Sequence, residues 1–193
     1  MPFSPRRRLL KEATADAHAE LDAVIGDFGS PAAYRAYLLG MARFRLPLED
    51  MIARHAPQAP FTTWPGPWQP VMIGNGLRAD LQALELEEKH WQAAVPQPRE
   101  AEDWLGLFYV LEGSALGAKL LAKRAALLGY GPTHGGAHLF GQVGNFSSWP
   151  AFLTLMEELR DLDEGKLVAF ANATFTYAYA AFESPMHASY ADR

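Results

Sequence analysis

The chain has 193 residues, of which 49% are hydrophobic and 20% are charged, values typical of one soluble globular domain with a substantial core. The formal net charge of −5 gives no indication of a nucleic-acid partner, which would favour a basic surface. Because cysteine is absent, disulfides, thiolate catalysis and zinc or iron–sulfur sites built on cysteine are excluded. We find neither a signal-peptide pattern nor a run of about 18 apolar residues, so we expect a cytoplasmic protein without a membrane span.

Helical patterns dominate the first half of the chain. A Ser-Pro start signal and apolar residues at spacings of three and four predict a helix over residues 4–25. A second Ser-Pro pair opens a predicted helix over 30–55, in which Pro47 should introduce a kink. The segment 57–70 contains five prolines and is predicted to be an extended connector. A short helix is predicted over 76–86, where leucines share one face.

The second half of the chain has the same character. A long helix is predicted over 100–128, followed by a glycine-rich loop over 129–144. Two further helices are predicted over 149–160 and 164–182. No alternating pattern typical of a strand stands out. The sequence therefore predicts an all-α fold, a multi-helix bundle of six to eight helices forming one domain over residues 1–193.

The first predicted helix carries one histidine, His18, beside its apolar face. A lone histidine of this kind is most often a partly buried, hydrogen-bonded structural side chain. The alternative is a neutral imidazole presented to a flat metal cofactor. Lys11 lies seven residues earlier, so on a continuous helix its ammonium projects from the same face about 10 Å away. Taken alone, Lys11 is more simply a solvated lysine.

Three glycines, Gly106, Gly113 and Gly117, interrupt the long predicted helix. Each costs about 1 kcal/mol relative to alanine in a helix interior. One interpretation is close packing of a neighbouring helix, and the other is a flat ligand lying directly on bare backbone. The spacing places Gly113 and Gly117 on one face, with Ser114 beside them as an anchor for water. Spacing by itself leaves both interpretations open.

Two motifs together resemble a known family. The run 10–18, Leu-Lys-Glu-Ala-Thr-x-x-x-His, resembles the proximal helix of heme oxygenases. The run 109–117, Tyr-Val-Leu-Glu-Gly-Ser-x-Leu-Gly, resembles the distal helix of their bacterial members, especially those associated with bacterial phytochromes. The resemblance covers most of the chain and implies a heme-oxygenase-type bundle that opens heme to biliverdin, carbon monoxide and ferrous iron. It implies heme as substrate and cofactor, dioxygen, an electron donor (a reductase, ferredoxin or ascorbate), and a phytochrome as acceptor of biliverdin.

The resemblance also implies roles for individual residues. His18 corresponds to the proximal iron ligand and Lys11 to a partner of a heme propionate. Gly113 and Gly117 correspond to the flexible distal backbone, and Ser114 occupies the place of an aspartate that organises water in animal enzymes. The remaining cofactor-binding residues implied in this way are Tyr109, Phe175 and Phe182.

Some positions depart from the family pattern. Ala118 replaces the second of two adjacent glycines, and Phe108 stands where a propionate-binding tyrosine is common. The last helix lacks the usual lysine and arginine pair, leaving Arg160 and Lys166 as the nearest cations. These departures motivate an alternative function, a non-catalytic carrier or sensor that binds heme or a bilin.

Other histidines are weaker candidates. A di-metal carboxylate bundle needs two Glu-x-x-His units, and the sequence has a single one, Glu87-x-x-His90, interpreted as a solvated face. His134 and His138 flank two glycines and are predicted to lie in a surface loop.

Overall fold

The computed structural model describes residues 4–87, 91, 93–145 and 147–183. Within these residues the structure contains eight α-helices, two short 3₁₀ turns and no β-strand, which confirms the all-α prediction. The helices are α1 (Pro5–Ala13), α2 (Ala15–Ile25), α3 (Pro31–His55), α4 (Gly74–Ala83), α5 (Ala101–Leu127), α6 (Ala137–Gly144), α7 (Ser148–Glu158) and α8 (Glu164–Glu183), and the 3₁₀ turns are Ala56–Gln58 and Pro60–Thr63.

The first predicted helix is in fact two helices, separated at Thr14. The backbone of Thr14 leaves the helical region, and its buried hydroxyl donates to the carbonyl of Leu10 at 2.8 Å. A β-branched residue that hydrogen-bonds back to the preceding turn is a poor helix interior residue, which accounts for the break. Because Lys11 and His18 lie on different helices, the distance expected from a continuous helix between them does not apply.

The long helix α3 continues through Pro47. Proline lacks an N–H, so the carbonyl of Arg43 one turn earlier has no helical donor. The hydroxyl of Tyr177 on α8 donates to that carbonyl at 3.3 Å. Pro47 thus leaves a carbonyl of α3 free to accept a hydrogen bond from α8.

Helix α5 is the centre of the bundle and packs against α6, α7 and α8. By length and composition it is the one helix among the described residues that could cross a membrane, and half of its apolar window is buried in the protein. The first half of α5 contributes two rings to an aromatic cluster, in which the centroids of neighbouring rings lie 4.9–6.4 Å apart. The members of this cluster are Phe61, Trp64, Trp68, Trp104 and Phe108.

The glycine-rich segment predicted to be a loop contains the helix α6, so that prediction was wrong for residues 137–144. The carboxylate of Asp80 on α4 accepts from the backbone N–H groups of Ala137 at 2.7 Å and His138 at 2.9 Å. A cap supplied from 57 residues away leaves no local signal in the sequence. His138 is buried on α6, not in a surface loop as predicted.

Candidate functional site

A cavity of about 500 Å³ lies among α1, α2, α3, α5, α7 and α8, a volume in the range of small-molecule sites. Helices α2 and α5 both pack against α8, and each contributes to the cavity wall. The eight residues predicted as site residues, from spacing or from the family resemblance, all line this one cavity: Lys11, His18, Tyr109, Gly113, Ser114, Gly117, Phe175 and Phe182.

His18 is the imidazole of the cavity. Its side chain is 61% exposed, unlike the partly buried structural histidine that a lone imidazole usually is. Its Nδ1 lies 3.2 Å from Oδ2 of Asp22, and its ring meets Phe175 edge-on at 5.7 Å. A carboxylate that accepts from Nδ1–H fixes the tautomer and leaves the Nε2 lone pair for a metal. Asp22 was not predicted as a site residue, although its spacing of four residues from His18 is a recognisable signal.

The cations of the cavity come from α1. Lys11 and Arg7 are one helical turn apart, and both line the cavity. The Arg7 guanidinium carbon lies 6.0 Å from the ring centroid of Trp149. Arg7 was not among the site residues predicted from the sequence. Burial raises the pKa of the Tyr109 hydroxyl, while a hydrogen bond with Thr14 and the charge of Arg7 oppose the increase. Positive charge and a hydroxyl therefore converge where a ligand carboxylate would be stabilised.

The glycines of α5 serve two different purposes. A Cβ on Gly106 would lie 2.7 Å from the carbonyl oxygen of Leu167, so that glycine permits α8 to approach. A Cβ on Gly117 would meet no atom within 4 Å, and one on Gly113 would meet only the ring of Trp149 at 3.8 Å. Close packing therefore explains Gly106 alone, and the other two leave bare backbone facing the cavity.

Ser114 is already engaged in two hydrogen bonds. Its Oγ donates to the carbonyl of Leu111 at 2.6 Å and accepts from Nε2 of Gln142 at 3.3 Å. Since a hydroxyl has one hydrogen and two lone pairs, Ser114 can add a water only as an acceptor.

Two of the departures from the family pattern lie outside the cavity wall. Ala118 and Phe108 are fully buried in the core, and neither lines the cavity. An alanine at position 118 therefore does not narrow the space beside Gly117. Lys166 of α8 forms an ion pair with Glu100 on the surface, away from the cavity.

Three residues of α3, namely Tyr37, Met41 and Phe44, form part of the wall and were not predicted. No signal distinguishes them, since α3 contributes many apolar side chains to the core. Across the part of the chain that the structure describes, no cluster of three or more His, Asp or Glu residues could hold a metal ion. His90 of the Glu87-x-x-His90 unit lies outside the described residues.

The residues present fit a flat, amphipathic metal cofactor with acidic substituents. The cavity offers an imidazole on α2, two cations on α1, aromatic side chains and exposed glycine backbone on α5, and each of these can contact one part of a heme. These groups come from several helices, so the fold assembles the set.

No protein-family model matches the sequence, and no curated protein matches it. The structure is similar to the heme oxygenase of Neisseria meningitidis, which was solved with NO and CO bound. The TM-score is 0.66 and the sequence identity is 22%, over 94% of this chain and 91% of that chain. The chain therefore has the heme oxygenase fold.

Proposed function

We propose that the protein binds heme in this cavity and opens it to biliverdin, carbon monoxide and ferrous iron. The observation that carries the proposal is the meeting of two distant motifs. Residues 10–18 and 109–117, nearly a hundred positions apart, place their chemically distinctive side chains around one cavity. The heme oxygenase fold supports the same conclusion.

Heme, when bound, supplies the iron that activates dioxygen and the ring carbon that is oxidised. His18 would hold the iron through Nε2, and the Asp22 carboxylate, 3.2 Å from Nδ1, would favour the tautomer that can do so. A neutral imidazole, unlike a thiolate, does not push electron density toward O–O cleavage. This ligand suits a reaction in which the macrocycle itself is oxidised.

The α1 cations hold the acidic edge of the cofactor. Lys11 and Arg7 neutralise the two propionates, with the Tyr109 hydroxyl nearby as a donor. This arrangement replaces the cations that the last helix lacks. The seating of the ring then depends on α1.

The α5 wall admits a small reactant and orders water. No atom lies within 4 Å of the place where a Cβ on Gly117 would be, and only the Trp149 ring, at 3.8 Å, lies beside Gly113. Ser114 Oγ accepts from a water molecule, whose second hydrogen is then free to point into the cavity. The wall thus offers a hydrogen-bonded water rather than a strong acid.

The alternative is a non-catalytic carrier or sensor of heme or a bilin. Two departures from the family pattern favour this alternative. The first, Ala118, is weakened as an argument because Ala118 is buried and leaves the cavity unobstructed. The other remains, since α8 contributes no cation to the wall. We favour the enzyme because a carrier has no need of a bare α5 backbone.

We further propose that a cytoplasmic donor (a reductase, ferredoxin or ascorbate) supplies the electrons, and that a bacterial phytochrome accepts the biliverdin. The resemblance of residues 109–117 to phytochrome-associated enzymes supports the acceptor.

The test is addition of hemin to the purified protein, followed by ascorbate under air. We expect a Soret band that decays as a biliverdin spectrum appears, and chromatography of the bilin then identifies the opened position. His18→Ala should abolish both, while His55→Ala, which removes an exposed histidine outside the cavity, should leave both intact. A stable Soret band without bilin would favour a heme carrier, and no Soret band would refute heme binding and with it the enzyme.

A further inference from the structure

Helix α6 does not line the cavity, yet it presents two buried polar side chains toward residues that do. His138 is 1% exposed and Gln142 is 3% exposed, and their spacing of four places them on one face. Burial of polar groups is unfavourable unless they are hydrogen-bonded. Their partners therefore indicate what they do.

The partner of Gln142 is Ser114 on α5. The Gln142 amide donates from Nε2 to Ser114 Oγ at 3.3 Å, while Ser114 donates to Leu111. The hydroxyl is held between a donor and an acceptor and cannot rotate freely. Its remaining lone pair has a fixed direction.

The partner of His138 is Tyr37 on α3. His138 Nδ1 lies 2.6 Å from Oδ2 of Asp80, and Nε2 lies 3.3 Å from the Tyr37 hydroxyl oxygen. Because the carboxylate takes the Nδ1 hydrogen, the neutral ring has a lone pair on Nε2, and Tyr37 is the donor. The charged groups facing His138 are Asp80 from α4 and Arg45 from α3.

The same carboxylate also fixes α6 itself. Asp80 is 1% exposed and accepts from two N–H groups at the start of α6, in addition to the imidazole. A Cβ on Gly76 of α4 would lie 2.9 Å from the backbone of His138, so the two helices are in close contact. Contacts with α4 inside the protein therefore fix the start of α6.

We infer that α6 orients the hydroxyl groups of the cavity wall, with Gln142 and His138 as positioning residues for Ser114 and Tyr37. Each hydroxyl donates its hydrogen to another group of the protein, the Leu111 carbonyl or Nε2 of His138. It can then take part in a further hydrogen bond only as an acceptor. Water in a heme-loaded cavity is consequently ordered by donating to the wall. The inference rests on the proposed function, because it concerns the polarity of the site that would face a heme ligand.

The first test is a double-mutant cycle on the heme-loaded protein. The readout is the C–O stretching frequency of its ferrous carbon monoxide complex, which reports the hydrogen bonds and dipoles around the bound CO. We expect Ser114→Ala and Gln142→Met each to shift the band, and the double variant to match Ser114→Ala alone, because Gln142 acts through Ser114. An unchanged band in Gln142→Met, or additive shifts, would overturn the inference. Gln142→Ala removes the amide without added bulk and repeats the comparison should Gln142→Met fold poorly.

The second test uses a matched pair of buried tyrosines on α3. Tyr34 is also fully buried and donates its hydroxyl hydrogen, to the Gly135 carbonyl, but it does not line the cavity. Tyr37→Phe should shift the C–O band and Tyr34→Phe should not, although each loses one buried hydrogen bond. Equal shifts, or none for Tyr37→Phe, would contradict the inference for Tyr37, the hydroxyl that His138 positions.

Different results would refute the heme site and the positioning role of α6. A wild-type protein without a Soret band on hemin titration refutes the heme site and this inference with it. A normal Soret band combined with additive shifts refutes the positioning role alone.

Discussion

The two halves of α5 differ in what surrounds them, although they belong to one continuous helix. Residues 104–108 lie in the core, where Trp104 and Phe108 join the aromatic cluster and Gly106 lets α8 approach. From Tyr109 onward the helix borders the cavity and the solvent on one side, and Leu120 is 54% exposed. Glycines in one helix can therefore have unrelated physical causes, which the space around a missing Cβ distinguishes.

The largest contrast is expected from truncating one large side chain in each half. Phe108→Ala should lower the free energy of unfolding by about 3–5 kcal/mol, because it leaves a cavity among aromatic rings. Leu120→Ala should change it by no more than about 0.5 kcal/mol, since that side chain is already in water. Urea denaturation of both variants measures the difference, and comparable losses would remove the distinction between the halves.

A second contrast concerns the glycine in the core half. Gly106→Ala should destabilise the protein by about 1–3 kcal/mol, because the new methyl group collides with the backbone carbonyl of Leu167. Urea denaturation is again the measurement. A variant as stable as the wild type would show that α8 can move away at no cost.

The glycine in the cavity half should respond with the opposite sign. Gly117→Ala should raise the free energy of unfolding by about 0.5–1 kcal/mol, since alanine favours the helix and its methyl group meets no protein atom. The same methyl group enters the cavity, so the affinity for hemin should fall. Urea denaturation and hemin titration of one preparation test both signs, and a variant that is less stable but binds hemin normally would contradict the assignment.

The smallest expected effect is a dependence of folding stability on pH, caused by His138 on α6. Helix α6 packs against α5. Burial lowers the pKa of His138 in the folded protein below its ordinary value, against the opposing influence of Asp80. The unfolded chain therefore takes up a proton first as the pH falls through about 6.5, and stability should decrease below that pH.

Urea midpoints between about pH 7.5 and about pH 5.5 measure this dependence. His138→Gln, which cannot titrate, should show a shallower decline than the wild type. Parallel declines in the two proteins would mean that other groups cause the loss.

The sequence predicted the long helices well because their signals are local. Ser-Pro starts mark α1 and α3, and the first turn of α5 carries acidic residues. Two predictions failed where the cause is distant or stereochemical. The break at Thr14 depends on a hydroxyl bonding back to Leu10, and α6 depends on a cap from Asp80 on α4.

Only some residues of the candidate site could be predicted from the sequence. His18 and Gly117 stand out against an amphipathic pattern and line the cavity, whereas Gly106 stands out equally and lies in the core. Tyr37 and Gln142 do not stand out, because their roles arise only when α3, α5 and α6 are packed together. Tertiary contact, not residue type, is the information that the pattern lacks.

The most direct measurement of the central claim is a hemin titration of the wild type and His18→Ala, with and without added imidazole. We expect a histidine-ligated heme spectrum in the wild type, its loss in His18→Ala, and its return when free imidazole fills the space that the side chain left. A His18→Ala variant that retains the wild-type spectrum without imidazole would contradict the assignment of His18 as the iron ligand.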